Sequence, residues 1–96
     1  MKLVRARLIV EGRVQGVYFR ANTVTIAKTL GVSGFVMNKP DGTVEAVLEG
    51  NEADVKKVIG WCRVGPPRAR VDTVNVKWED FKSEFSDFTA LTRDDG

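Results

Sequence analysis

Gly12-Arg13-Val14-Gln15-Gly16-Val17-Tyr18-Phe19-Arg20 is where the hydrophobic period of this chain changes, and its reading decides the fold. Upstream, Val4, Ala6, Leu8 and Val10 share one face while Arg5, Arg7 and Glu11 share the other. Ile9 breaks the alternation, but residues 3–11 read as a half-buried strand. Downstream, Val24, Ala27 and Leu30 recur at helical spacing, which predicts a helix from Arg20 to about Leu30 with Gly31 as its stop. The stretch between them is a strand-to-helix turn in which two glycines let the backbone bend tightly. Such a turn can aim successive N–H groups into one concavity with a helix N-terminus behind it, a shape that suits a phosphate or carboxylate. Arg20 would add a planar, always-charged fork matched to phosphate oxygens. Spacing alone fits equally well with a plain turn and a solvated arginine.

The rest of the chain extends the pattern. Val32 to Met37 reads as a second strand, and Asn38-Lys39-Pro40-Asp41-Gly42 as the hairpin turn that follows it. Thr43 to Glu49 is a third strand, with Val44, Ala46 and Leu48 inward. Asn51 is a cap for a second helix, with Glu52 and Asp54 in its first turn. Val55, Val58, Ile59 and Cys62 form its apolar stripe, and Gly65-Pro66-Pro67 ends it. Val74, Val76 and Trp78 alternate on a fourth strand, and Thr89 to Thr92 is expected to add a short fifth. Arg93-Asp94-Asp95-Gly96 is expected to fray.

The order is β-α-β-β-α-β, an α+β plan of the ferredoxin-like type with two helices on one face of an antiparallel sheet. Right-handed crossovers place the third strand between the first and second. The first two strands are then parallel, so the glycine loop and Asn38 emerge at the same sheet edge, about 10 Å apart.

Composition narrows the chemistry. The 96 residues are expected to form one domain, 1–96, with 43% hydrophobic and 29% charged residues. A net charge of +2 is too small to imply nucleic-acid binding, and no apolar run approaches the length of a membrane span. Charges run through Met1 to Arg7, so no signal peptide is expected there. A single cysteine rules out an internal disulfide and fits a reducing, cytoplasmic setting. Histidine is absent, which removes the commonest general base and metal ligand.

The Gly12–Arg20 stretch resembles the phosphate loop of the acylphosphatases. The likeness continues through Leu30-Gly31-Val32-Ser33-Gly34-Phe35-Val36-Met37-Asn38, Asp41-Gly42-Thr43-Val44, Gly65-Pro66-Pro67 and the strand from Val71 to Trp78. It covers nearly the whole chain, with the motifs in order. One departure is Phe35, where the family commonly has tryptophan. The resemblance implies hydrolysis of acyl phosphates, with the phosphoryl group held by the amides of Gly16, Val17, Tyr18, Phe19 and Arg20 and by the Arg20 side chain. It implies that Asn38 orients the attacking water and that no metal or cofactor takes part. An already activated substrate needs little acid catalysis, which is compatible with a histidine-free site. Gly12 shapes the loop, and Gln15 is expected to brace it through its amide, though an exposed glutamine fits as well. The expected partner is a small-molecule acyl phosphate, met by a free-standing monomer, with no nucleic acid and no membrane.

Two competing readings carry less weight. Cys62-Arg63-Val64-Gly65-Pro66-Pro67-Arg68 spells Cys-x5-Arg, as in cysteine-dependent phosphatases. Cys62 completes an apolar stripe, however, and two prolines lack the N–H groups a phosphate cradle requires. A non-catalytic ferredoxin-like module binding an anion or RNA is the alternative of a different class. RNA recognition on the sheet would call for exposed aromatics, and the outward positions Arg5, Arg7, Thr43 and Glu45 supply none.

Overall fold

The computed structural model describes residues 1–92, so the fraying expected at 93–96 falls outside the described residues. The elements run β1 (Leu3–Arg13), α1 (Phe19–Thr29), β2 (Ser33–Asn38), β3 (Val44–Asn51), α2 (Glu52–Cys62), β4 (Arg70–Glu79) and β5 (Phe88–Leu91). The sheet order is β4-β1-β3-β2-β5. β3 lies between β1 and β2, and the first four strands pair antiparallel. β5 adds to β2 in parallel, so the complete sheet is mixed. The architecture is the α+β ferredoxin-like one, with the short fifth strand.

Alternation in β1 buries Val4, Ala6, Leu8 and Val10 beneath the helices. α2 lies over β1 and β3, and α1 over β2 and β5. The stripe Val55, Val58, Ile59 and Cys62 is buried as its spacing requires, and the Asn51 side chain accepts from the Ala53 amide to cap α2.

β1 runs two residues beyond its alternation because a bulge between Glu11 and Gly12 resets its register against β4. Gly12 has φ of 130°, and a Cβ there would overlap the carbonyl oxygen of Arg70. Only glycine lets the two backbones approach this closely at the point where the loop departs.

The face opposite the helices differs from the sequence expectation. Arg5 points away from the helices, yet it is only 4% exposed, because residues 80–87 cross over it. Its Nε donates to Glu79 at 3.0 Å, and its Nη1 donates to Glu84 at 2.8 Å and Glu49 at 3.3 Å. Its guanidinium also sits 5.5 Å from the Phe85 ring centre, and Phe85 packs edge-on against Phe35. Glu49 is 1% exposed and accepts from the amides of Lys82 (2.8 Å) and Glu84 (2.9 Å). Arg7 extends the network to Glu45 and Glu79. A buried carboxylate and guanidinium thus hold the segment that leads into β5.

Burial alone would push the Glu49 carboxyl up. The amides of Lys82 and Glu84 and the Arg5 guanidinium outweigh it and hold the group below its ordinary value of 4.5. A carboxylate depressed on folding contributes stability that is full above its unfolded value and is lost as pH falls through its folded one. Glu49→Gln is therefore expected to lower stability at neutral pH by about 2–4 kcal/mol and to make the acid limb shallower below about pH 5. Thermal unfolding followed against pH measures both. A variant that keeps the parent's acid limb would show that Glu49 is not the linked group.

Candidate active site

The loop between β1 and α1 buries its side chains and leaves its backbone outside. Val14, Val17 and Phe19 are 1%, 6% and 2% exposed, while Gly16 and Tyr18 face solvent. Phe19 is fixed by the Trp61 ring of α2, centroid to centroid 5.4 Å. The backbone turns between these anchors through two left-handed residues, Gly16 (φ 75°) and Tyr18 (φ 67°). Tyr18 pays about 1–2 kcal/mol for that conformation. Its carbonyl accepts from both the backbone (3.1 Å) and the side-chain amide (2.9 Å) of Asn22, which pins the turn onto α1.

One consequence is a run of unoccupied donors. Among the described residues, the amides of Gly16, Val17, Tyr18, Phe19 and Arg20 donate to no protein acceptor. Two of them open α1, where the first-turn amides have no intrahelical partner and the helix end carries partial positive charge.

Asn38 ends β2 and lines the same cleft as Gly16, Tyr18, Phe19 and Arg20, a space of about 550 Å³. Its Oδ1 is buried and has no hydrogen-bond partner among the described residues. Such an atom carries a cost of about 1–3 kcal/mol unless something fills the site. The position follows from the strand order: β1 and β2 run parallel with one strand between them.

Gln15 locks the two halves together. Its Nε2 donates to the carbonyls of Lys39 (2.8 Å) and Thr43 (2.9 Å), spanning the β2–β3 turn next to Asn38. This is bracing through the side-chain amide, one of the two readings the sequence left open. Gly12 stands at the loop's entrance and contributes no group to the cleft.

β5 supplies a wall that the sequence did not assign. Ala90 and Thr92 line the cleft, and Arg20 Nη1 donates to the Leu91 carbonyl at 3.0 Å. The sequence suggested a short strand at Thr89 to Thr92 but gave no register. Nor could spacing reveal the left-handed Tyr18, since tyrosine is not a residue type that marks positive φ.

The Cys-x5-Arg segment is not a second site. Cys62 is fully buried, and desolvation pushes its thiol up to about 12, outweighing the opposing influence of the Thr23 hydroxyl nearby. Arg68 lies in the turn beyond Pro66 and Pro67.

A family model described as acylphosphatase matches residues 6–90. Among curated proteins, the chain is 55% identical to the acylphosphatase of Pyrobaculum calidifontis over 95% of this chain and 84% of that protein. It is 58% identical to the acylphosphatase of Thermococcus kodakarensis over 83% of this chain and 88% of that one. The crystal structure of acylphosphatase from Bacillus subtilis superposes with a TM-score of 0.88 at 31% identity, covering 92% of this chain and 98% of that one.

Two outcomes follow from the geometry. Gln15→Ala is expected to cost about 1–2 kcal/mol and to weaken inorganic phosphate binding several-fold, read by denaturant unfolding and calorimetric titration. Unchanged phosphate affinity would mean that Gln15 braces the turn without shaping the cleft. Cys62 is expected to resist a disulfide reagent at about pH 8 until denaturant is added. Prompt labelling of the folded protein would contradict the buried, protonated thiol.

Proposed function

The chain belongs to the acylphosphatase family and is an acylphosphatase; from that premise we propose that the cleft between the Gly12–Arg20 loop and Asn38 is its catalytic site. There it hydrolyses the bond between carboxyl and phosphoryl groups. The observation that carries this reading is the pairing of opposites in one cleft. Gly16, Tyr18, Phe19 and Arg20, whose amides have no protein acceptor among the described residues, line one cleft with Asn38, whose Oδ1 is buried without a partner there.

The loop amides of Gly16, Val17, Tyr18, Phe19 and Arg20, with the Arg20 guanidinium, hold the phosphoryl oxygens. They stabilise the charge that spreads over those oxygens in the transition state, and the rigid loop needs no reorganisation to do so. Asn38 Oδ1 accepts a hydrogen bond from water and holds it in line with the scissile bond. The water oxygen bonds to phosphorus while the phosphorus–oxygen bond to the acyl group breaks. The carboxylate leaves with the electron pair, and the water's proton passes to the phosphate. A carboxylate is a good leaving group, so no protein acid is required.

The Leu91 carbonyl holds Arg20 at the cleft's rim through a single exposed bond. A phosphate dianion is a stronger acceptor than a carbonyl, so substrate draws the guanidinium inward. The reading extends to a monomer acting as a single domain, with the loop, Arg20 and Asn38 lining one cleft. The buried free thiol of Cys62 supports a cytoplasmic setting. The RNA-binding alternative has less support. Residues 80–87 cover part of the outer sheet face, and Glu45, Glu49, Glu79 and Glu84 place carboxylates there.

Turnover of benzoyl phosphate tests the assignment. Arg20→Gln and Asn38→Ala are each expected to lose about 10²–10³ in kcat while remaining folded. Excess chelator is expected to leave the wild-type rate unchanged. Full activity in either folded variant would sink the mechanism, and inhibition by chelator would contradict a metal-free reaction.

A further inference from the structure

A second cleft, of about 390 Å³, meets the first at Gly16 and is lined by Arg13, Gly16, Val17 and Arg68. Its two arginines come from different parts of the chain. Arg13 ends β1, and Arg68 lies in the turn before β4, brought alongside because Arg13 is paired with Arg70. Among the described residues neither arginine forms an ion pair or a side-chain hydrogen bond. Arg70 next to them is compensated, its Nε donating to Asp72 at 3.1 Å. Among the described residues no carboxylate lines this cleft.

Strand order gives the cleft its place in the reaction. Asn38, on β2, lies on one side of the loop, and β4 with the Arg68 turn lies on the other side of β1. In-line displacement puts the leaving group opposite the attacking water. If water is held at Asn38, the acyl group extends toward β4. We propose that the Arg13–Arg68 cleft is the acyl subsite, and that it favours acyl phosphates whose acyl part carries a second anionic group, a carboxylate or a phosphate. The inference rests on the catalytic reading of the loop and Asn38. It adds a specificity that the loop amides, which meet only the phosphoryl group, do not supply.

Two uncompensated guanidiniums beside a cradle already built for an anion raise the local concentration of a dianion more than that of a monoanion. The contrast is measured with succinyl phosphate and butyryl phosphate, which differ by a terminal carboxylate in place of a methyl group. The ratio of their kcat/KM values is read in the wild type and in the Arg13→Gln/Arg68→Gln double variant. That ratio is expected to fall about tenfold in the variant, mainly through the KM for succinyl phosphate, and to shrink in the wild type in about 0.5 M salt. A ratio unchanged in the double variant would overturn the subsite, since both substrates would then feel the arginines equally or not at all.

A binding arm separates this outcome from failure of the catalytic reading. If the wild type hydrolyses neither substrate, the catalytic reading falls, and the subsite is decided by calorimetric titration with phosphonates. Tighter wild-type binding of 5-phosphonopentanoate or of pentane bisphosphonate than of pentylphosphonate, lost in the double variant, supports it. Equal affinities overturn it.

Discussion

A backbone segment with five N–H groups that, among the described residues, enter no protein hydrogen bond is the constraint on which the rest of this structure depends. Unpaired donors are ordinarily avoided, and leaving them requires that the chain be fixed by other means. Here the means are apolar. Val14, Val17 and Phe19 are driven into the core on alternate sides of the exposed Gly16 and Tyr18, so the side chains hold what the hydrogen bonds do not. Phe19 against Trp61 and Gln15 against the β2–β3 turn fix the two ends of the loop to opposite parts of the molecule. The positive φ at Gly16 and Tyr18 turns the backbone sharply between the buried anchors, and Asn22 stabilises the less favourable of the two.

The outer face of the sheet follows a different logic. Arg5 and Glu49 are both withdrawn from water, a costly arrangement in isolation. It is satisfied because each makes several strong contacts: three carboxylates and an aromatic face for the guanidinium, two backbone amides and the guanidinium for the carboxylate. The result is directional. The ion pair fixes where residues 80–87 run, and that path delivers β5 to the edge of β2. β5 then meets Arg20 through Leu91. The charged face and the cleft are joined through one continuous length of chain.

Much of this was legible before any coordinates. Period-two and helical spacings place the first six elements to within a few residues, because burial on one face dictates which residue types can alternate. Fidelity was lowest where a backbone feature overrode side-chain pattern. The bulge at Glu11 and Gly12 carried β1 through Arg13, and the Tyr18 turn started α1 at Phe19 rather than Arg20. Arg5 was the clearest departure. An arginine alternating with apolar residues reads as solvated, and its burial depends on a segment more than seventy residues later in the chain.

The sequence by itself determined the element order, the apolar faces and the presence of a glycine-shaped strand-to-helix turn, since these depend on local spacing and residue type. It also excluded histidine chemistry and made Cys62 a core residue through its place in a helical stripe. Tertiary structure alone decided which groups share a space. Asn38 meets the loop because β3 inserts between parallel strands, Leu91 reaches Arg20 because β5 returns to β2, and Arg13 stands beside Arg68 because β1 pairs with β4. Such meetings bring together residues far apart in the chain, and only the assembled sheet fixes the distances between them.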